Sequence, residues 1–213
     1  MMANTNYDYF IFDCDGVILD SNTIKSMAFA DSLPDESPEL VKLFVEYHKQ
    51  HGGISRYKKF EHYFKNIQNY PDADNKISEA LILFASIVKK GLLECNYVPG
   101  ILKFLENIAT TEKPMFVVSG SDEIELQEVF LSRHILKYFK EVYGSPSSKI
   151  ENTSKVIEEI GSQKKGCFFG DSRSDYEAAK KFSLDFIYVS QFSEWEEGDK
   201  FSNFTVKNFL NLK

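Results

Sequence analysis

The sequence has few cysteines, no long apolar run and no secretory leader. Its three cysteines, Cys14, Cys95 and Cys167, are too few and too scattered for a disulfide framework or a zinc knuckle. No apolar segment approaches the roughly 20 residues that span a bilayer. The N-terminus lacks a basic start followed by an apolar stretch, which a secretory signal requires. These absences predict a cytoplasmic protein with no membrane partner.

Positive charge is also scarce. The 213 residues include 25 Lys and Arg against 32 Asp and Glu, a net charge of -7 with histidine neutral. The basic residues form no cluster longer than a lysine pair. Since binding to a nucleic-acid backbone needs a concentrated positive face, we expect no nucleic-acid partner. The length suits one large domain, or a core domain with a modest second one.

Residues 21–95 have the periodicity of helices. Apolar residues recur at helical spacing over 40–47, 60–67 and 77–87. The run Lys89-Lys90-Gly91 is typical of a basic last turn followed by a glycine cap, and so predicts the end of the third helix. We therefore expect an inserted α-helical domain over 21–95.

From Val98 onward, helical and strand-like segments alternate. The predicted order is helix 101–109, strand 115–118, a helix from about 122, strand 141–143, helix 150–160, strand 167–169, helix 176–182 and strand 186–189. Such alternation indicates βαβ crossovers and a parallel sheet, which the apolar segment 9–12 would join. The predicted fold class is α/β, with a Rossmann-like parallel sheet core over 1–20 and 96–213 and the helical segment inserted between them.

The residues that follow these strands are acidic, hydroxyl-bearing or basic, together with one glycine. They are Asp13, Asp15, Ser119, Gly120, Lys149, Asp171 and Asp175. In open parallel sheets, ligands bind beyond the carboxyl ends of the strands. Carboxylates that cluster without histidine or cysteine favour Mg²⁺, and crowded like charges need such a cation. The sequence therefore predicts a Mg²⁺-dependent phosphoryl-transfer site. There an aspartate attacks the phosphoryl group, a second one moves protons, and a hydroxyl and an ammonium hold phosphoryl oxygens.

Four motifs resemble those of the haloacid dehalogenase-like phosphohydrolases and occur in that family's order. They are Asp13-Cys14-Asp15-Gly16-Val17-Ile18-Leu19-Asp20-Ser21, Val117-Val118-Ser119-Gly120, Lys149, and Gly170-Asp171-Ser172-Arg173-Ser174-Asp175. The resemblance implies that Asp13 is the nucleophile and Asp15 the general acid/base, with Ser119, Gly120 and Lys149 binding the phosphoryl group. Lys155 is the alternative to Lys149.

The same resemblance implies a set of Mg²⁺ ligands. The metal would be bound by the side chains of Asp13 and Asp171 and by the backbone carbonyl of Asp15. Asp175 would be a further ligand or would support one.

The inserted segment matches the cap of the family's phosphoglycolate phosphatase and β-phosphoglucomutase-like members. Gly52-Gly53-Ile54-Ser55-Arg56 resembles the mutase cap loop Gly-x-Ser-Arg, which implies that Arg56 contacts a distal phosphate or carboxylate of the substrate. Lys25 stands where the mutase-like members carry a cap-hinge histidine, and is a second candidate for contact with the substrate.

The expected function is therefore a Mg²⁺-dependent phosphatase that acts on a small phosphorylated metabolite, such as a sugar phosphate or a phosphoglycolate-like acid. Two alternatives remain: a phosphomutase of the β-phosphoglucomutase type, and a non-catalytic protein that binds a phosphorylated ligand. The sequence leaves open whether the protein is a monomer or a dimer.

Overall fold

A six-stranded parallel sheet forms the centre of the computed structural model, which describes residues 7–212. Its strands are β1 (Tyr9–Phe12), β2 (Met115–Asp122), β3 (Glu141–Ser145), β4 (Gly166–Gly170), β5 (Asp185–Val189) and β6 (Phe204–Val206). The strand order is β3-β2-β1-β4-β5-β6, and every neighbouring pair is parallel. The predicted α/β class with a parallel sheet is confirmed.

Helices cover the sheet and also fill the segment between β1 and the rest of the core. The helices of that segment are α1 (Asn22–Asp31), α2 (Pro38–Gln50), α3 (Arg56–His62) and α4 (Ala73–Glu94). Those of the core are α5 (Ile101–Ala109), α6 (Glu123–Ser132), α7 (Lys149–Ile160) and α8 (Arg173–Lys181). Helix α1 packs on α2 and α4, and α3 packs on α4. We call α1–α4 the cap; its division from the core at residues 21 and 95 stays a prediction.

The central strands are apolar on both faces because helices cover both sides of the sheet. In β1, Ile11 belongs to one buried apolar cluster and Phe12 to the other, larger one. Phe12 stacks on Phe169 of β4 with ring centroids 4.9 Å apart. Burial of each such side chain stabilises the fold by about 1.5–3 kcal/mol. This packing holds the carboxyl ends of β1 and β4 side by side, where the predicted acids lie.

The predicted end of a cap helix at Gly91 is wrong, because α4 continues to Glu94. A Cβ atom at position 91 would lie 2.4 Å from Cγ2 of Ile24. The glycine therefore allows α4 to pack closely against α1 rather than capping a helix, and this packing offsets its low helix propensity.

Other elements also differ from expectation: β2 and β3 run beyond their predicted ends, to Asp122 and Ser145. Strand β6 is short and was not expected. Helix α8 begins at Arg173, three residues before the predicted start, because Ser172 and Asp175 form a capping box at its first turn. None of the helices within residues 7–212 combines the length and apolar character needed to cross a membrane.

Candidate active site

Asp13 leaves the carboxyl end of β1 and is almost completely buried. Its backbone N–H donates to the carbonyl of Phe169, which ties this residue to β4. The backbone N–H of Cys14 donates to Asp13 Oδ1 at 2.7 Å, and Lys149 Nζ donates to Asp13 Oδ2 at 2.7 Å. Both oxygens of the Asp13 carboxylate are thus oriented by hydrogen bonds.

Lys149 is the first residue of α7, which begins here because Ser148 caps it in a capping box with Glu151. Lys149 Nζ bridges Asp13 Oδ2 and Asp175 Oδ1, the latter at 2.5 Å. Burial lowers the pKa of Lys149, but the two carboxylates outweigh it and hold the pKa above its ordinary value. Lys149 is therefore an ammonium. The alternative, Lys155, instead donates to Asn152 Oδ1 at 2.9 Å and does not contact Asp13.

Asp175 is fixed by the capping box that starts α8. Its Oδ2 accepts hydrogen bonds from the backbone N–H of Ser172 at 3.0 Å and from the Ser172 hydroxyl at 2.5 Å. A Cβ atom at Gly170 would lie 2.3 Å from the Asp175 Cβ, so the glycine makes room for this carboxylate. Asp175 thus contacts Lys149 with one oxygen and the start of α8 with the other. Metal binding by Asp175 stays a prediction.

Asp171 follows β4 and completes a buried cluster of carboxylates. One oxygen from each of Asp13, Asp171 and Asp175 lies within 4.8 Å of the others. The side chain of Asn22, at the start of α1, donates to Asp171 Oδ2 at 2.6 Å. Gly16 has φ +72°, and a Cβ atom there would lie 2.3 Å from the same oxygen. The turn after β1 thus needs glycine at position 16 to let Asp171 approach Asp13.

The charges of this cluster do not balance. Among the residues that the structure describes, three carboxylates face the one ammonium of Lys149, so two negative charges lack a compensating side chain. Burial, followed by the charge of Asp175, raises the pKa of Asp13 to about 7. Burial and the charge of Asp13 raise the pKa of Asp171 well above its ordinary value. A buried oxygen-only cluster with this excess charge fits a hard divalent cation such as Mg²⁺. Asp13 and Asp171 are the residues that would hold it.

The Asp15 side chain has a separate set of partners. It forms an ion pair with Lys25 and accepts hydrogen bonds from the hydroxyls of Ser21, at 2.6 Å, and Ser121, at 3.0 Å. Burial raises the pKa of Asp15, but Lys25 outweighs this effect and holds the pKa below its ordinary value. The Asp15 side chain thus lies outside the carboxylate cluster. Binding of the metal by the backbone carbonyl of Asp15 stays a prediction.

At the end of β2, a different serine from the one expected reaches the cavity. Ser119 is fully buried, and its hydroxyl donates to Ser121 Oγ at 3.1 Å. Ser121 lines the cavity and accepts a hydrogen bond from Lys25 Nζ at 2.5 Å. The structure thus places Ser121 and Gly120 at the site and Ser119 behind them. The signal for Ser121 was its position in the same strand-end tripeptide, Ser119-Gly120-Ser121.

The cap lies over these residues and lines, together with them, a cavity of about 350 Å³. A Cβ atom at Gly53 would lie 2.0 Å from Ser174 Oγ and 2.8 Å from Lys149 Nζ. A Cβ atom at Gly120 would lie 2.2 Å from the Gly53 carbonyl oxygen. The glycines at 53 and 120 therefore allow the cap loop to rest directly on the core, which shields Asp13 from water.

Two cap residues predicted to contact the substrate, Lys25 and Arg56, also line this cavity. Lys25 is paired with Asp15. The guanidinium of Arg56 donates to both carboxylate oxygens of Glu125 on α6. Sequence patterns offered no signal for Glu125 or Asn22, whose partners lie 69 and 149 residues away. Contact of Lys25 and Arg56 with a substrate stays a prediction.

The fold and the site together define an α/β enzyme in which a helical cap covers a carboxylate cluster at the carboxyl edge of a parallel sheet. The model of the haloacid dehalogenase-like hydrolases matches residues 10–189, and the chain belongs to this family. Comparison with curated protein sequences gave no match.

Solved structures share this fold at low sequence identity. CbbY from Rhodobacter sphaeroides in complex with phosphate is 14% identical, with a TM-score of 0.78 and coverage of 97% of this chain and 96% of that one. A predicted phosphoglycolate phosphatase from Haemophilus somnus is 16% identical, with a TM-score of 0.75 and the same coverage. β-Phosphoglucomutase from Clostridium difficile is 19% identical, with a TM-score of 0.75 and coverage of 98% and 94%.

Proposed function

We propose that this protein is a Mg²⁺-dependent phosphatase that hydrolyses the phosphate monoester of a small metabolite. The observation that carries the proposal is the position of Lys149, which bridges Asp13 and Asp175 within the buried carboxylate cluster. An oriented carboxylate, a phosphate-neutralising ammonium and a divalent-cation site thus meet at one point. A cavity of about 350 Å³ suits a small substrate.

Asp13 is suited to act as the nucleophile. Its carboxylate oxygen attacks phosphorus, the bond between phosphorus and the ester oxygen breaks, and an aspartyl phosphate forms. Lys149, beside Asp13, stabilises the charge on the phosphoryl oxygens. Mg²⁺ held by Asp13 and Asp171 would supply the positive charge that offsets repulsion between the carboxylate and the phosphate.

Asp15 is suited to move the proton. It donates a proton to the departing alcohol oxygen and later takes one from the water that hydrolyses the aspartyl phosphate, so the products are an alcohol and inorganic phosphate. The ion pair with Lys25 holds the pKa of Asp15 below its ordinary value and so favours its ionised form. We infer that an arriving phosphate attracts Lys25, which weakens its pairing with Asp15 and lets Asp15 accept the proton it needs.

The relatives in fold support a phosphorylated metabolite as the substrate class. They include a predicted phosphoglycolate phosphatase and a protein solved in complex with phosphate. One of them is a β-phosphoglucomutase, which keeps the phosphomutase reading as the second candidate. The lysine at position 25, in place of the histidine of mutase-like members, favours hydrolysis.

Phosphate release from a panel of phosphomonoesters, measured with Mg²⁺ and with a chelator, tests the proposal. Mg²⁺-dependent release that Asp13→Asn abolishes would support it. No release from any compound would favour a non-catalytic, ligand-binding role. Incubation with a hexose 1-phosphate and a bisphosphate primer separates the two enzymatic readings. Isomerisation with little free phosphate would identify a mutase.

A further inference from the structure

A buried pair of basic residues lies in the cap wall of the active-site cavity. Lys59 on α3 and His48 on α2 both line the cavity, and both are more than nine-tenths buried. Lys59 Nζ lies 2.7 Å from His48 Nδ1 and donates to the His48 carbonyl at 3.4 Å. The neighbouring surface is apolar, with the Lys59 ammonium 5.3 Å from the centroid of the Phe29 ring. The pair has no part in the phosphoryl chemistry described above.

Hydrogen bonding within the pair sets the state of the histidine. Burial, followed by the charge of Lys59, lowers the pKa of His48 to about 2, so its ring is neutral. Since Nδ1 accepts from the ammonium, the ring proton is on Nε2. That atom is buried and has no hydrogen-bond partner among the described residues. Two donors of the pair therefore lack an acceptor among the described residues: the Nε2–H of His48 and the third N–H of Lys59.

Lys59 also lacks a counter-charge. The other basic side chains that line the cavity each have a carboxylate partner within ion-pair distance: Lys25 with Asp15, Lys49 with Glu194, Arg56 with Glu125 and Arg173 with Glu177. Within residues 7–212, no carboxylate lies within that distance of Lys59. Burial of an unpaired ammonium is costly unless a ligand brings the opposite charge.

We propose that Lys59, positioned by His48, binds an anionic group at the end of the substrate remote from the transferred phosphate. This inference rests on the proposed function, because the remote end is defined by attack at Asp13. The anionic group is a carboxylate or a second phosphate, since either supplies the charge and the oxygen acceptors that the pair lacks. Lys59 thereby selects the substrate, while Asp13, Asp15 and Lys149 act on its phosphate.

Matched pairs of substrates test the proposal and separate the two anions. Phosphoglycolate is compared with 2-hydroxyethyl phosphate, which replaces its carboxylate by a hydroxymethyl group. Glycerol 1,3-bisphosphate is compared with glycerol 3-phosphate. We expect the wild-type protein to prefer at least one of the doubly anionic compounds. Lys59→Met should lower kcat/KM for that compound by about 10- to 100-fold, chiefly through KM. The kcat/KM for its partner without the remote anionic group should change by less than about 3-fold.

Lys42→Met is the matched control, since Lys42 is an exposed lysine on α2. It should leave both members of each pair unchanged. A wild-type protein without preference for an anionic remote group would overturn the proposal. So would an equal loss on both members of a pair in Lys59→Met.

His48 is a positioning residue, and its variants test that role. The substitution His48→Leu removes the acceptor for Lys59, whereas His48→Asn can place an amide oxygen where Nδ1 now lies. His48→Leu should reproduce the rise in KM for the anionic compound, and His48→Asn should restore a large part of the affinity. Equal behaviour of the two variants would remove His48 from substrate recognition.

A binding measurement keeps this inference separate from the proposed function. Titration calorimetry of phosphoglycolate and of glycerol 1,3-bisphosphate into Asp13→Asn, with and without Lys59→Met, requires no turnover. Tight binding that Lys59→Met weakens would uphold the role of Lys59 even if no phosphate were released in the assays. Binding of both compounds that is unaffected by Lys59→Met would overturn it even in an active phosphatase.

Discussion

The guanidinium of Arg56 donates to both carboxylate oxygens of Glu125, with Nη2 at 2.6 Å from Oε1 and Nη1 at 3.2 Å from Oε2. Arg56 begins α3 of the cap and Glu125 lies in the first turn of α6 of the core. Both side chains of the pair are buried. It therefore joins the cap to the core and compensates the charge of Arg56, which leaves the unpaired Lys59 as the stronger candidate for a remote anionic group.

The effects of removing the two members of this pair on stability should not be additive. Glu125→Gln leaves the buried Arg56 without a counter-charge and should lower the free energy of unfolding by about 3 kcal/mol. The double variant Arg56→Met/Glu125→Leu should lose less than the sum of the single variants. Urea unfolding of the wild type, Arg56→Met, Glu125→Leu and the double variant gives the coupling energy. Additive losses would show that the pair does not hold the cap against the core.

Asp15→Asn should separate the two half-reactions. p-Nitrophenolate leaves without a proton, so Asp13 can still be phosphorylated, but the aspartyl phosphate loses the base that activates water. We expect a burst of p-nitrophenol close to one equivalent, followed by turnover slowed by about 100-fold or more. Rapid-mixing absorbance measurements detect the burst. Asp13→Asn is the control and should give no burst; a burst in that variant would refute the assignment of the nucleophile.

Binding of Mg²⁺ should compete with protons. Burial and the charge of Asp175 raise the pKa of Asp13 to about 7, so below this pH the metal must displace a proton. The affinity for Mg²⁺ should therefore fall as the pH is lowered from 8 to 6. Titration calorimetry in two buffers of different ionisation enthalpy measures the protons released. Asp171→Asn should greatly weaken binding at every pH. An affinity independent of pH would place the cation away from Asp13.

Lys59→Met should make the protein more stable while it impairs substrate selection. Burial, followed by the charge of Lys25, lowers the pKa of Lys59 to about 7, although Asp15 and Glu194 act in the opposite direction. Between this value and the ordinary pKa, the unfolded chain binds more protons, so this group makes wild-type stability rise with pH. At pH 7 the free energy of unfolding of Lys59→Met should exceed that of the wild type by on the order of 1 kcal/mol. The difference is this small because loss of the contact with His48 offsets part of what is gained by removing a buried charge.

That difference in stability should shrink as the pH rises from 7 past the ordinary lysine pKa of about 10.4, above which the lysine is mostly neutral in both states. Thermal unfolding of the wild type and variant across this range tests the prediction, with Lys42→Met as the exposed control. A variant less stable than the wild type at pH 7 would show that Lys59 is already well compensated in the folded protein.

Much of this architecture is encoded locally. The spacing of apolar residues predicts the strands and helices, because each type of backbone structure places side chains on its buried face at its own regular interval. Helix 101–109 and the strands around Phe12 and Phe169 lie where these patterns predict them. The residues that follow each strand can also be identified from the sequence. Because the carboxyl ends of parallel strands lie at one edge of the sheet, these residues are expected to lie close together. The acids Asp13, Asp15 and Asp171 could therefore be placed at one site before any coordinates were known.

Contacts between distant segments were decided by the tertiary structure alone. The pairing of Arg56 with Glu125, and of Asn22 with Asp171, depends on how the cap rests on the core. No periodicity records that arrangement, because it arises from side-chain packing between elements far apart in the chain. The same packing turned Gly91 from an apparent helix end into a contact point. The sequence alone thus determined which chemical groups meet at the strand ends, and the packing of the cap determined which charged side chains pair with one another.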